Sequence, residues 1–375
     1  MNSFTHTHLE KSLPRRRFLQ IAKAALATTL LTGALSCSAE EDTQHSPTRW
    51  GFVGTGSIAN KMAKAIVNAP SATLTASSSR TLSKAEDFSK QHGASKAFGS
   101  WAEMCQWDGI DAVYIATPTF VKEEIAIAAA KAGKHVLCEK PLASTASLQR
   151  ILAACHENNV AFMDGTHFSH HPRTAEVKRQ LDEVVGERRR LHTVFQFNLR
   201  DQSNIRLNPE LEPMGGIGDA GWYNMRAIAE YLNPELKVTS VSASLRRHPQ
   251  TRGVVGGTGF MSFDDGSTTT FSCAMDAGAY GNDARIDGSK GALVTPRFLS
   301  NDHDNSASYT LLGRGKNGYT EVKVESAMAG STLMFEDFSA QIHNPAQRQK
   351  WEAIALRTQE LLDLFWKSAI ENEQK

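Results

Sequence analysis

From residue 49 to residue 166 short apolar runs alternate with longer amphipathic ones, and turn residues mark each change of rhythm. "RWGFVG" has the pattern of a buried strand. "SIANKMAKAIVNAP" then sets Ile58, Met62, Ala65 and Ile66 on one helical face and stops at Pro70. "ATLTASSS" is a β-branched strand, and "TLSKAEDFSKQHG" places Leu82, Ala85 and Phe88 on one stripe with Gly93 as its C-terminal cap. The rhythm continues through "DAVYIAT", "VKEEIAIAAAKAGK" (ended by Gly133), "HVLCEKP", "SLQRILAACHENN" and "VAFMDG". Strict βα alternation at this spacing predicts a doubly wound parallel sheet of the Rossmann type in an α/β protein.

After Thr166 the rhythm changes. "RRRLHTVFQF", "KVTSVSASLRR", "GGTGFMSFDDGSTTTFSCAM" and "DARIDGSKGALVTP" predict longer alternating strands, with a hairpin turning at Asp265-Gly266. An α+β domain with an open, mostly antiparallel sheet therefore follows the Rossmann domain. The last segment carries Ile354, Leu361, Leu362, Phe365 and Ala369 at helical spacing. The expected organisation is a leader (1–39), a linker (40–48), a Rossmann domain (49–166), a substrate domain (167–346) and a terminal helix (347–375).

The leader is read from "PRRRFLQIAKAALATTLL". Arginines head an apolar run that carries Lys23 and falls short of the roughly 20 apolar residues a spanning helix needs. Small residues follow it, in the order of a cleavable export signal, and no polar alternation supports an amphipathic helix. Arg15-Arg16 with Phe18-Leu19 specifies the twin-arginine route, although Pro14 and Gln20 stand where Ser and Lys are commonest. The expected location is periplasmic, with a lipid at Cys37 ("ALSC") as a further option and no membrane span in the mature chain. The other cysteines lack the paired spacing of a metal site or a disulfide framework. A formal net charge of +1 gives no electrostatic footprint for nucleic acid.

Gly54-x-Gly56-x-x-Ala59 joins the first strand to the first helix. The first glycine permits a tight turn, the second lets backbone approach a pyrophosphate, and the small third residue lets helix lie on strand. Phosphates then meet the helix N-terminus. That context makes a dinucleotide the expected ligand. The second strand ends Ser77-Ser78-Ser79-Arg80 without the carboxylate that would bind ribose hydroxyls. Ser79 and Arg80, with Lys84 as a further cation, suit a 2′-phosphate, so NADP is favoured over NAD. Lys140 of "CEKP" lies at the carboxyl end of a parallel strand, where such sheets bind ligands, and is a usable proton donor or acceptor. In "GGIGDAGWY", Asp219 and Tyr223 are one helical turn apart and share a face.

With these motifs, and "VYIATPTF", "HHPRT" and "IRLNPELEPM", the chain resembles the Gfo/Idh/MocA oxidoreductases, named for glucose–fructose oxidoreductase and inositol dehydrogenase. It is most similar to the branch near NADP-dependent xylose and dihydrodiol dehydrogenases. The resemblance implies hydride transfer between nicotinamide and a sugar or polyol, with Lys140, Asp219 and Tyr223 catalytic. It implies cofactor contacts at Gly54, Gly56, Ser57, Ile58, Ser79, Arg80, Thr117, Pro118, Glu139 and Lys140, and substrate contacts at Arg206, His167 and Tyr223. A homodimer or tetramer is implied by the family alone. Thr119, Lys122, Ser169 and Arg226 depart from the family's usual residues and bear on substrate rather than chemistry. His167, His170 and His171 fit no standard ligand spacing, so no metal is expected.

Free nicotinamide cofactor belongs to the cytoplasm, and the twin-arginine route carries folded proteins. A loaded cofactor would then travel bound and be regenerated in each cycle, by oxidising one sugar and reducing another. Two other functions stay open: a glycoside hydrolase using transient oxidation, and a sugar-binding module without catalysis.

Overall fold

The computed structural model describes residues 46–299, 305–313 and 318–375; the leader and Cys37 lie outside the described residues. Four of the first six strands form the parallel sheet's interior, β1 (Thr48–Val53), β2 (Ala72–Ser78), β4 (Ala112–Ile115) and β5 (His135–Cys138), with short β3 (Lys96–Phe98) and β6 (Phe162–Asp164) at its edges. Their order is β3-β2-β1-β4-β5-β6, all parallel. Between them run α1 (Ser57–Ile66), α2 (Leu82–His92), α3 (Trp101–Gln106), α4 (Thr119–Lys131) and α5 (Thr145–Glu157). Strands such as "AVYI" are buried at every position, as expected where helices cover both faces. Gly93 and Gly133 end their helices at φ +77° and +74°. β1 begins at Thr48, inside the expected linker: Thr48 Oγ1 donates to Ser339 Oγ (3.1 Å) and its N–H donates to Ser71 O (2.8 Å), which extends the strand.

The second domain contains α6 (Pro172–Gln180), β7 (Arg188–Asn198), α7 (Trp222–Tyr231), β8 (Val238–Arg247), β9 (Val254–Phe263), β10 (Thr268–Ala274), β11 (Asp276–Gly288), β12 (Ala292–Thr295), β13 (Ser306–Leu312) and β14 (Tyr319–Glu325). They form one sheet, β14-β13-β12-β11-β7-β10-β9-β8, antiparallel except where β10 runs parallel to β7. The β9–β10 hairpin turns at Gly266 with φ +82°, as expected. "DARIDGSKGALVTP", expected as one strand, is instead a hairpin of β11 and β12: Gly288 N–H bonds to Gly291 O at 2.8 Å and folds the chain back.

Two C-terminal helices close the molecule, α8 (Gly330–Ile342) and α9 (Pro345–Glu373). The sequence reading assigned residues 330–346 to the substrate domain. They pack instead on the Rossmann sheet, where Phe335 and Phe338 meet Trp50 at ring separations of 5.1 and 4.8 Å. Their apolar spacing is short, and only the partner surface reveals where they dock. α9 ties both domains: Gln359 accepts from Leu142 N–H (3.2 Å), Asp363 accepts from Thr145 N–H (2.7 Å), and Phe365 meets Phe271 of β10 edge to face (4.7 Å). The four described cysteines are buried and free. Among the described residues no helix is long and apolar enough to cross a membrane.

Two imidazoles, one half-buried and one buried, act as acceptors in this frame. His135 Nδ1 accepts Ala161 N–H (2.9 Å), and His171 Nδ1 accepts Arg173 N–H (3.1 Å) at the start of α6. Burial, aided by nearby guanidinium groups, pushes each from the usual 6.5 down to about 4. The unfolded chain therefore takes up these protons first as pH falls. Stability from both sites is complete above pH 6.5 and declines toward pH 4. Urea midpoints measured across that window should fall, and His135→Asn should flatten the dependence.

Candidate active site

One cleft of about 1570 Å³ runs along the carboxyl ends of the parallel strands and reaches the second sheet. At one end lies the turn between β1 and α1. Gly54 has φ +98°, and a Cβ there would sit 2.8 Å from the Ala116 carbonyl oxygen. A Cβ on Gly56 would meet nothing within 4 Å, so backbone faces open space. α1 carries no acid in its first turn. An orienting residue that the sequence reading missed is Asn60, whose amide donates to Thr55 O (3.1 Å) and Gly56 O (2.9 Å). Its own oxygen is held by His92 (2.8 Å). An Asn four residues into a helix carries no signal of such a role.

Ser57, Ile58, Thr117 and Pro118 line the same cleft, as do Ser79, Arg80 and Lys84. Ser77 does not line the cleft: it is buried and bonds to Ala85 O (3.0 Å) within the fold, whereas Ser78, also buried, lines it. Asp87 also lines the cleft, one turn beyond Lys84. A pyrophosphate fits the open glycine turn at a helix N-terminus without a nearby acid, and the exposed Arg80 and Lys84 give cations for a further phosphate.

At the other end the structure brings Lys140, Asp219, Tyr223 and Arg206 together. Lys140 Nζ lies 2.6 Å from Asp219 Oδ1 and 4.7 Å from the centre of the Tyr223 ring. Arg206 Nε lies 2.8 Å from Asp219 Oδ2. Burial opposes the Asp219 charge, and Lys140 and Arg206 outweigh it, holding the carboxyl well below the usual carboxylate range. Asp219 thus stays ionised between Lys140 and Arg206, with the Tyr223 ring beside Lys140 Nζ. Asp219 sits in one wide turn, Ile217–Gly221, that leads into α7, so it shares the Tyr223 face without capping the helix.

Glu139 lines the cleft but is buried. It accepts Tyr114 O–H at 2.6 Å and lies 3.6 Å from His167 Nε2. Burial opposes its charge, while His167, Lys140 and Tyr114 hold it below the usual range. The expected cofactor-contact residue is thus held at the cleft wall by Tyr114, beside His167. Of the three histidines only His167 lines the cleft. His170 bonds Asp337 at 2.7 Å, and His171 caps α6. Among the described residues no three potential metal ligands gather.

The departures from the family pattern are anchored. Thr119 donates through N and Oγ1 to Glu212 (3.0 and 2.7 Å), a cross-domain cap on α4. Arg226 pairs in the core with Asp164, which also accepts from Thr166, while Trp222 Nε1 donates to Thr166 Oγ1 at 2.7 Å. Lys122, 3% exposed, donates to the carbonyls of Lys140 (3.1 Å) and Pro141 (2.9 Å). Burial pushes Lys122 down despite nearby anions. Nothing in the structure explains Ser169.

Residues 48–166 match the oxidoreductase family with an NAD-binding Rossmann fold, and residues 174–294 match the GFO/IDH/MocA C-terminal domain. The dTDP-3,4-didehydro-2,6-dideoxy-alpha-D-glucose 3-reductase of Actinomadura kijaniata is 32% identical over 264 residues, 70% of this chain and 78% of that protein. IolU of Bacillus subtilis, an NADP(+) scyllo-inositol 2-dehydrogenase, is 34% identical over 182 residues, 47% of this chain and 55% of that protein. The structure of KijD10, a 3-ketoreductase from A. kijaniata with NADP and TDP-benzene, superposes with a TM-score of 0.78 at 26% identity, covering 86% and 98% of the two chains. The aldose-aldose oxidoreductase of Caulobacter crescentus shares the fold alone, at 21% identity and a TM-score of 0.77 over 87% and 98%. The fold and cleft define an oxidoreductase with a Rossmann domain. The chain belongs to the Gfo/Idh/MocA family.

Lys122→Met removes a charged donor from two buried carbonyls, a loss of about 1.5–3 kcal/mol. Steady-state kinetics should show kcat down by about tenfold, with a lower melting temperature. Unchanged kcat would mean that Lys140 is held without it.

Proposed function

We propose that this protein is an NADP-dependent oxidoreductase of a sugar or polyol. The observation that carries the reading is the Lys140–Asp219 contact of 2.6 Å beside Tyr223, in the same cleft as the Gly54–Gly56 turn. NADP is supported by Arg80 and Lys84 at the end of β2 that lacks a carboxylate, and by the NADP named for KijD10 and IolU. A carbohydrate is supported by the sugar and inositol named for those relatives.

Bound nicotinamide would supply hydride exchange with a carbinol carbon. Lys140 Nζ, aimed by Asp219, gives a proton to the carbonyl oxygen in reduction and takes one from the hydroxyl in oxidation. Tyr223 is a second proton-bearing group, its ring centre 4.7 Å from Lys140 Nζ. Arg206 locks the far oxygen of Asp219, so the carboxylate cannot rotate away from Lys140. Arg206 thereby serves the site first through Asp219, to which Nη2 also donates (3.3 Å), while Nη1 donates to Asn204 (3.4 Å).

We further propose export by the twin-arginine route with the nucleotide already bound, on the strength of Arg15-Arg16 and Phe18-Leu19. Mass spectrometry of nucleotide released from the denatured, envelope-purified protein should find stoichiometric NADP. Lys140→Met should keep that nucleotide and lose activity on paired sugars by about 10²–10⁴-fold. A protein that is empty and binds no added NADP would overturn the reading in favour of a sugar-binding module.

A further inference from the structure

Beyond Tyr223 the cleft wall continues as a chain of aromatic rings. Phe195 of β7 meets Tyr223 edge to face at 5.4 Å, and Tyr280 of β11 meets Phe195 in the same way at 6.2 Å. Phe197 lies 5.6 Å from Phe195, and all four rings line the cleft. The wall therefore leads outward from the proton-transfer group in successive steps, each about one ring long.

Tyr280 is 60% exposed, which is unusual for a large aromatic at a fixed place. It is nevertheless held. Asn282, 1% exposed, donates to the Tyr280 hydroxyl at 2.6 Å, and its oxygen accepts Leu299 N–H at 3.1 Å. Asn282 in turn is paired in register with Phe195. A buried amide that positions an exposed ring at the cleft mouth presents a preformed apolar face to solvent. Ile205, 41% exposed, adds an apolar side chain to the same cleft beside Arg206.

Flat apolar faces of this kind bind rings by stacking, whether the ring is aryl or the C–H face of a pyranose. The reacting ring must lie against Lys140 and Tyr223, which leaves Phe195 and Tyr280 for whatever is attached to it. We infer that the substrate is a glycoside carrying a second ring, and that Phe195 and Tyr280 form the subsite for that ring. This deepens the oxidoreductase reading and rests on it for the place of the first ring.

The test is calorimetric titration of the purified, NADP-saturated protein with phenyl and methyl glycosides of glucose, galactose and xylose, and with cellobiose and lactose. Ring-bearing ligands should bind about tenfold more tightly than the methyl glycoside of the same sugar, the size of a stacking contribution near its upper range. Tyr280→Ala, at an exposed position, should erase that difference. A preference for phenyl glycosides alone would make the second ring an aryl group, and a matching preference for disaccharides would make it a sugar. Equal binding of methyl and ring-bearing ligands overturns the inference, as does a preference that survives in Tyr280→Ala. Loss of NADP affinity in that variant without a change in preference places the wall on the dinucleotide and overturns it as well. The oxidoreductase reading fails separately, by absence of bound NADP in the unsubstituted protein.

Discussion

Asp219 is a carboxylate taken out of water between two cations, and the geometry of the site depends on it. Lys140 comes from the edge of the parallel sheet, and Arg206 and Asp219 come from the second domain. Removing one partner of such a buried pair leaves an uncompensated charge, at about 3–5 kcal/mol. Any arrangement that parts the domains here therefore exposes or strands a charge. The same contact that aims the Lys140 ammonium also fixes the distance between the Rossmann edge and the start of α7.

A second buried pair works behind the first. Arg226 and Asp164 join α7 to the end of β6, and Trp222 reaches Thr166 from the residue before Tyr223. Both pairs hold the same short stretch of chain from opposite sides. Rotation of α7 by even part of a turn would break one of them, so Asp219 and Tyr223 keep a common face toward Lys140. Lys122 fixes the remaining variable by holding the backbone from which Lys140 projects.

The parallel sheet was legible because its strands are buried on both faces and punctuated by Gly93, Gly133 and prolines, so local pattern and tertiary burial agree. The glycine turn was legible for the same reason: its function is carried by backbone, and backbone requirements select residue types. α8 was not, because its docking on Trp50 depends on a surface almost three hundred positions away in the chain. Lys140, Asp219 and Tyr223 emerged from spacing and resemblance, but their relation did not. Asp219 is legible as a candidate catalytic residue, but that it sits between two cations which keep it ionised is visible only in the structure. Lys122 and Asn60 act by supporting other residues, and support leaves no periodicity or motif.

The two ends of the cleft are built differently, and this bears on how the site can vary. The nucleotide end uses Gly54, Gly56 and a helix terminus, so most side-chain changes there leave its electrostatics intact. The other end is built from side chains, among them those on one face of β7. Thr193, Phe195 and Phe197 share that face: Thr193 lies under Asn224 of α7, and Phe195 and Phe197 line the cleft. A change at such a position alters the shape met by the substrate without disturbing the ladder that carries it. Thr119, Lys122 and Arg226 follow the opposite logic. Each is tied to backbone or to a partner across the domains, so these departures alter how Lys140 is held and leave its chemistry as the fold prescribes.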